Sequence, residues 1–294
     1  MYYALGPDEC LRTLLALSTP FLPDGRIDLT SLRSGYLGYL SSYQPDIARF
    51  RAPHAKVVTE PDRIRHLADV FGLEDTPPGK RSGFEDRRDP TNPMPTWKLR
   101  LLEDGLEELR EAEPGMRSLF DIAIDSIFST ANSLAAGSMT TGRAVGIIWV
   151  DPLKGWNEYD AAEAYAHELT HTLLTLDEHR YGHFPNYAAM REPKNLAKSA
   201  IRSERRPLNA VVHSYVVAEE LLSLRAQGLP PDFTPRLHAD TATLHAKAGE
   251  ARRSIYECRN LEALTTERLR SILARADERF DSIPDPVRAS AKTL

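Results

Sequence analysis

The sequence predicts an α+β fold, predominantly α-helical, with a small β-sheet beside one metal-binding helix. Three observations carry that expectation. Apolar residues recur at threes and fours along most of the chain, the spacing of amphipathic helices. One short run, Ala144 to Val150 (AVGIIWV), is apolar and β-rich and ends at Asp151-Pro152, which marks it as a strand. The third is the motif His167-Glu168-Leu169-Thr170-His171 inside YAHELTHTLLTLDEH. Around it Ala162, Tyr165, Ala166, Leu169, Thr172, Leu173 and Leu176 keep helical spacing. Helical residues four apart lie on one face, one turn apart. The two imidazoles can therefore close on one metal ion, with Glu168 on the next arc. The alternative is a buried helix whose histidines only hydrogen-bond. Burying two histidines and a glutamate in that way is costly without a metal.

Composition sets the outer bounds. The chain has 294 residues, enough for one large domain or two small ones. Hydrophobic residues make up 41% and charged residues 27%, as in a soluble globular protein. The formal net charge is −5 and the pI about 6.0, so a nucleic-acid partner is not expected. Cys10 and Cys258 form neither a metal-ligand pair in sequence nor a disulfide framework. The start, MYYALGPDEC, lacks a basic n-region and an apolar h-region, and no run reaches the length of a membrane span. These features predict a cytoplasmic protein without a membrane partner.

In chain order, Pro7 to Leu17 reads as a short helix. TPFLPDGRIDLT follows as a turn-rich connector with Pro20, Pro23 and Gly25 as breakers. Helices are expected over Leu29 to Tyr43 and Pro61 to Phe71. His54 and His66 have no partner at ligand spacing and read as ordinary histidines. From Glu74 to Pro95 the chain is rich in Pro, Gly and charge and has no hydrophobic period. It reads as a linker, with a substrate-covering flap as the alternative. Two regions result: an N-terminal helical region with its linker, 1–95, and a metal-binding catalytic domain, 96–294.

Within the second region, Trp97 to Ala112 is a charged amphipathic helix, and Met116 to Ser133 is expected as a more apolar one. GSMTTG (Gly137 to Gly142) reads as a loop or tight turn, before the strand and the motif helix. By analogy with zinc peptidases, that strand would lie along the cleft and pair with an extended peptide. After the motif, DEHRYGHFPNYAAMREPKN reads as a loop. Gly182 and Pro185 argue against one helix through His179 and His183, so neither is a favoured ligand. Pro207 to Ala226 is a strong helix with Pro at its start. Pro235 to Phe280 reads as two more helices. His238 and His245 read there as packing residues.

Two histidines do not complete a metal site; a third protein ligand is needed. In the metzincin pattern a glycine and a third histidine follow the motif. Here Leu174 and Asp177 stand in those places. Leucine would continue the helix and aim Asp177 away, so that class is discounted. A gluzincin takes a glutamate from later in the chain, and Glu192, Glu219 and Glu220 are available. The ion would then be zinc, and Glu168 the general base of a metallopeptidase. The helix with Glu219 and Glu220 also carries His213, and spacing alone does not choose between them.

A resemblance bears on that choice. Ile201-Arg202-Ser203-Glu204-Arg205-Arg206-Pro207, then Leu208 and Val211-Val212-His213-Ser214-Tyr215, resembles a pattern of the HExxH-type, 2-oxoglutarate-dependent peptide β-hydroxylases. These enzymes accompany ribosomally made, modified peptides. Their pattern has an aromatic residue and arginine, polar residues, Arg-Pro, an apolar pair, His-Gly and an aromatic. Ile201 replaces the first aromatic here, Arg205 lies before Arg-Pro, and Ser214 replaces the glycine. Small residues around Ser138, a strand ending in Asp-Pro and the motif helix are similar too. The resemblance covers about Ser133 to Leu224 and leaves out the N-terminal third.

The resemblance implies Fe(II) rather than zinc, held by His167, His171 and His213 in a zincin-like helical setting. Such a three-ligand face leaves room for 2-oxoglutarate and O₂. It implies Arg206 first, and Arg202 second, as the guanidinium for the distal carboxylate of 2-oxoglutarate. Glu168, the catalytic candidate, then has no obligatory bond-breaking role. It could orient a ligand or accept a hydrogen bond from the substrate. The implied reaction hydroxylates a carbon of a peptide or amino-acid-like substrate, with O₂ as co-substrate.

Overall fold

A computed structural model describes residues 1–23, 27–73, 94–130, 137–202 and 204–284. The fold is α+β and predominantly helical, as the periodicity predicts. It divides into two compact units, 14–172 and 1–13 with 173–294. The division runs through helices and does not fall at the anticipated boundary of 95/96. The linker or flap read over Glu74 to Pro95 lies outside the described residues except for Met94 and Pro95. Among the described residues no helix is long and apolar enough to cross a membrane.

The unit 14–172 is built on a four-stranded sheet. Its helices are the end of α2 (Pro7–Ser18), then α3 (Leu29–Tyr43), with the strand β1 (Lys56–Val57) and α4 (Pro61–Phe71) following. Next come α5 (Thr96–Ala112), α6 (Pro114–Ala123), β2 (Ser126–Phe128), β3 (Gly137–Thr140) and β4 (Ile147–Asp151). The strand order is β1-β2-β4-β3, with β1, β2 and β4 parallel and β3 antiparallel on one edge. Ser126 pairs with Ile147 and Phe128 with Trp149; Ser138 pairs with Val150 and Thr140 with Ile148. One face of this sheet is closed by α4, where Leu67 and Phe71 pack with Val58, Phe128 and Ile147. Burying such side chains stabilises by about 1.5–3 kcal/mol each.

Two expectations fail here. The helix read over Met116 to Ser133 stops at Ala123, and its second half becomes β2. Ser126-Ile127-Phe128 is short and flanked by β1 and β4, so sheet pairing overrides the helical spacing. GSMTTG is not a loop at its start but β3, since pairing with β4 supplies the order that its polar residues do not advertise. The strand before the motif helix is therefore interior, and the edge strands of the sheet are β1 and β3.

The motif helix is α7 (Glu158–Tyr181). It starts on a reciprocal cap: Asp160 N–H donates to Asn157 Oδ1 at 3.1 Å, and Asn157 N–H to Asp160 Oδ2 at 3.0 Å. Gly105 on α5 lets the helices touch, because a Cβ there would overlap Ala161. Tyr165 Oη donates to the Leu102 carbonyl at 2.7 Å, and its ring packs on Phe120. These contacts fix the rotation of α7 against α5 and α6. The helix runs on to Tyr181, past the point where the loop was expected. His179 is thus helical, and Gly182, at φ +68°, ends the helix.

The other unit is organised around α8 (Leu208–Gln227), which starts after the short hairpin of β5 (Leu196–Lys198) and β6 (Arg205–Pro207). Around it pack α1 (Tyr2–Leu5), α9 (Thr241–Tyr256) and α11 (Glu267–Ser282), with the one-turn α10 (Leu261–Leu264) between the last two. The tail forms the two long helices expected, with that extra turn. His245 stacks on Phe280 with ring centroids 4.7 Å apart, the packing role read for it.

Candidate metal centre

From Asp160 to Thr172 every residue of α7 is buried except His167 and His171. A helix buried on nearly all sides is expected to be apolar all round. The two half-exposed positions in this stretch are instead the imidazoles of the motif. Their ring centroids are 4.9 Å apart with planes at 61°. Glu168 is 1% exposed, and its Oε1 lies 3.7 Å from His167 Nε2.

Neither Glu168 oxygen closes a hydrogen bond of normal geometry. Burial pushes its carboxyl up to about 7. The Ser138 and Thr140 side chains and the Thr140 backbone face it from β3 and moderate the rise. A carboxyl titrating near neutrality beside two imidazoles can take up or release a proton at working pH. The sequence does not advertise the two hydroxyl residues, because GSMTTG has the composition of a loop. Alternation of Ser138 and Thr140 in a strand would have put them on one side.

The remaining candidates lie on the unit of α8. His213 is half-buried, and it is the one residue between Val211 and Arg225 that is not fully buried. Arg206 is half-buried on β6, opposite Ala197, with Glu204 3.7 Å away. Arg202 is exposed, and its backbone N–H donates to Ser199 Oγ at 3.1 Å.

Of the carboxylates that could take the third place, Glu220 and Glu192 are paired with cations, while Glu219 keeps one buried oxygen without a hydrogen-bond partner. Glu220 accepts the backbone N–H groups of Tyr3 and Ala4 at 3.0 Å and pairs with the amino terminus. Glu219 accepts Ser223 Oγ at 2.8 Å, with Arg279 Nε 4.0 Å away. Glu192 stands at the surface, paired with Lys194 at 2.9 Å. Asp177 accepts His183 Nε2 at 2.8 Å and Arg268 Nε at 3.0 Å, which hold its carboxyl below the ordinary value despite its burial. The same contact accounts for His183 as a packing residue. His54 and His66 are exposed.

Two imidazoles one turn apart, with a buried carboxylate beside them, suit a first-row divalent ion. Among the described residues no three His, Cys, Asp or Glu side chains form a complete ligand group, so the third ligand rests on the sequence. The chain matches no family model and no curated protein.

Proposed function

We propose that this chain is an Fe(II)- and 2-oxoglutarate-dependent oxygenase that hydroxylates a carbon of a peptide or amino-acid-like substrate, of the peptide β-hydroxylase kind. The observation that carries the reading is the His167–His171 pair, partly exposed within the otherwise buried stretch 160–172 of α7. The third ligand, His213, comes from the resemblance of the 201–215 segment, since spacing alone does not choose it over Glu219 or Glu220. O₂ is the oxidant; iron, when bound, would activate it, with two electrons from the decarboxylation of 2-oxoglutarate to succinate, for attack on a carbon that acid–base chemistry cannot reach.

The chain's own residues then have distinct tasks. His167, His171 and His213 hold the ion through neutral imidazoles, which requires them deprotonated. Arg206 takes the distal carboxylate of 2-oxoglutarate through a planar, charge-assisted fork, with Arg202 as the second candidate. Glu168 accepts a hydrogen bond at the site or holds a proton there. A zinc peptidase remains the second reading for one reason: Glu168 is placed and tuned as a general base would be.

The two readings part on the co-substrate. The Fe(II) protein in air is expected to release succinate from 2-oxoglutarate slowly, even without its substrate. Arg206→Ala should weaken 2-oxoglutarate binding by about 2–3 kcal/mol, or roughly 30- to 150-fold, and Arg206→Lys should restore only part. Absence of succinate, together with cleavage of casein by the zinc form, would decide for the peptidase.

A further inference from the structure

We propose that the interior of the unit 14–172 binds a small monovalent anion, of the size and charge of chloride, through Arg33, Tyr36 and Arg49. The site uses none of the residues of the metal reading and does not depend on it.

Buried donors in folded proteins find acceptors. Three buried donors of this unit have no hydrogen-bond partner among the described residues: Arg33 Nη2, Arg49 Nε and Tyr36 Oη. The rest of each arginine is firmly held. Arg33 donates through Nε to the Ala52 carbonyl at 2.6 Å and through Nη1 to the Ile124 carbonyl at 2.9 Å. Arg49 donates through Nη1 to the Val145 carbonyl at 2.7 Å and through Nη2 to Gln44 Oε1 at 2.8 Å. Tyr36 Oη lies 3.3 Å from where a Cβ on Gly146 would stand. The two backbone stretches that anchor the arginines are joined, since Asp125 N–H donates to the Gly146 carbonyl at 2.7 Å. The three orphan donors therefore gather around Gly146. Its φ of +79° suits glycine, which brings the chain this close without a side chain.

Charge decides what such a place takes. Arg33 meets the last carbonyls of α6, the negative end of that helix, and part of its charge is offset there. Arg49 is half-buried and has only neutral acceptors. The buried carboxylate of this region, Asp125, accepts Phe50 N–H at 3.1 Å and stands 3.7 Å from Arg63. Among the described residues neither Arg33 nor Arg49 is ion-paired with it. An enclosed cation without a counterion is costly. A water molecule would leave that cost in place, and it would bring two protons of its own to groups that are themselves donors. Burial pushes the Tyr36 hydroxyl above its ordinary value, against the pull of Arg49 and Arg33, so it stays protonated and donates. An anion accepts from all three groups and balances the charge. Tyr36 is fully buried and Arg33 is 4% exposed, so the enclosure suits a single-atom ion better than phosphate or sulfate.

The test is thermal unfolding of the full chain followed by tryptophan fluorescence. The chain's three tryptophans, Trp97, Trp149 and Trp156, all lie in the unit 14–172, so the signal reports on the unit that carries the site. Chloride replaces gluconate at constant ionic strength. The midpoint should rise and then saturate, by roughly 3–6 °C at ten times the half-saturating concentration, and bromide should act in the same direction. Tyr36→Phe keeps the ring and removes one donor, so it should need roughly tenfold more chloride for half the effect. Arg49→Met should abolish the chloride response whatever its own midpoint. Arg100→Ala, a change at an exposed arginine of the same unit, should respond as the wild type does. A wild-type midpoint equal in gluconate and chloride would overturn the proposal and leave the three donors to water. A response kept in full by Tyr36→Phe or by Arg49→Met would overturn it too, since general salt effects do not depend on these side chains.

Discussion

Glu168 on α7 and Glu220 on α8 are both buried glutamates, and each helix carries half-buried histidine amid buried neighbours. Their surroundings differ. Glu220 is enclosed by donors: two backbone N–H groups at the start of α1 and an ammonium group. Burying its charge is compensated, and the charge ties α1 to α8. Glu168 has no hydrogen bond of normal geometry, and burial raises its pKa to about 7. An uncompensated buried carboxyl costs stability. The contrast separates a carboxylate that holds the fold from one that the fold leaves for chemistry.

The comparison can be broken by removing each carboxylate in turn. The largest effect is expected from Glu220→Gln, which takes the charged acceptor from the buried backbone N–H groups of Tyr3 and Ala4. It should lower stability in urea by about 3 kcal/mol. Glu168→Gln should have little cost, or add about 1 kcal/mol at pH 8, where the native carboxyl is ionised. Equal losses from both changes, measured by chemical denaturation, would remove the distinction.

A smaller effect sharpens it through pH. Burial and the neighbouring Glu220 push the Glu219 carboxyl well above its ordinary value. The folded state therefore keeps a proton that the unfolded chain has lost. Stability from this group is present below the unfolded pKa of about 4.3 and falls as pH rises toward the raised folded value. Glu219→Gln should flatten that part of the stability profile. A slope unchanged by the substitution would place its origin in another group.

Much of the helical framework is legible in the sequence, for physical reasons that particular elements show. α3 and α4 have the boundaries read from apolar spacing, and α4 also has Pro61 at its start and Gly72 at its end. The His167–His171 pair needs only helical geometry to be seen. What escapes is made by pairing across the chain. β2 hides in an apolar run that continues a helix, and β3 consists of small polar residues. The surroundings of Glu168 depend on β3, so they are invisible until the sheet is assembled. Leu174 continues the helix and aims Asp177 away from the motif, and the structure supplies its partners, His183 and Arg268. The assignments of His213, Arg206 and Arg202 rest on the resemblance alone.

The most direct test of the central claim is an anaerobic Fe(II) titration of the wild type and of His167→Ala, His171→Ala and His213→Ala. The account predicts one ion per wild-type chain and at least a 100-fold loss of affinity in each variant, since two ligands hold a first-row ion poorly. Glu219→Gln, run alongside, should bind iron as the wild type does. Full-affinity, stoichiometric binding by His167→Ala or His171→Ala would contradict the account.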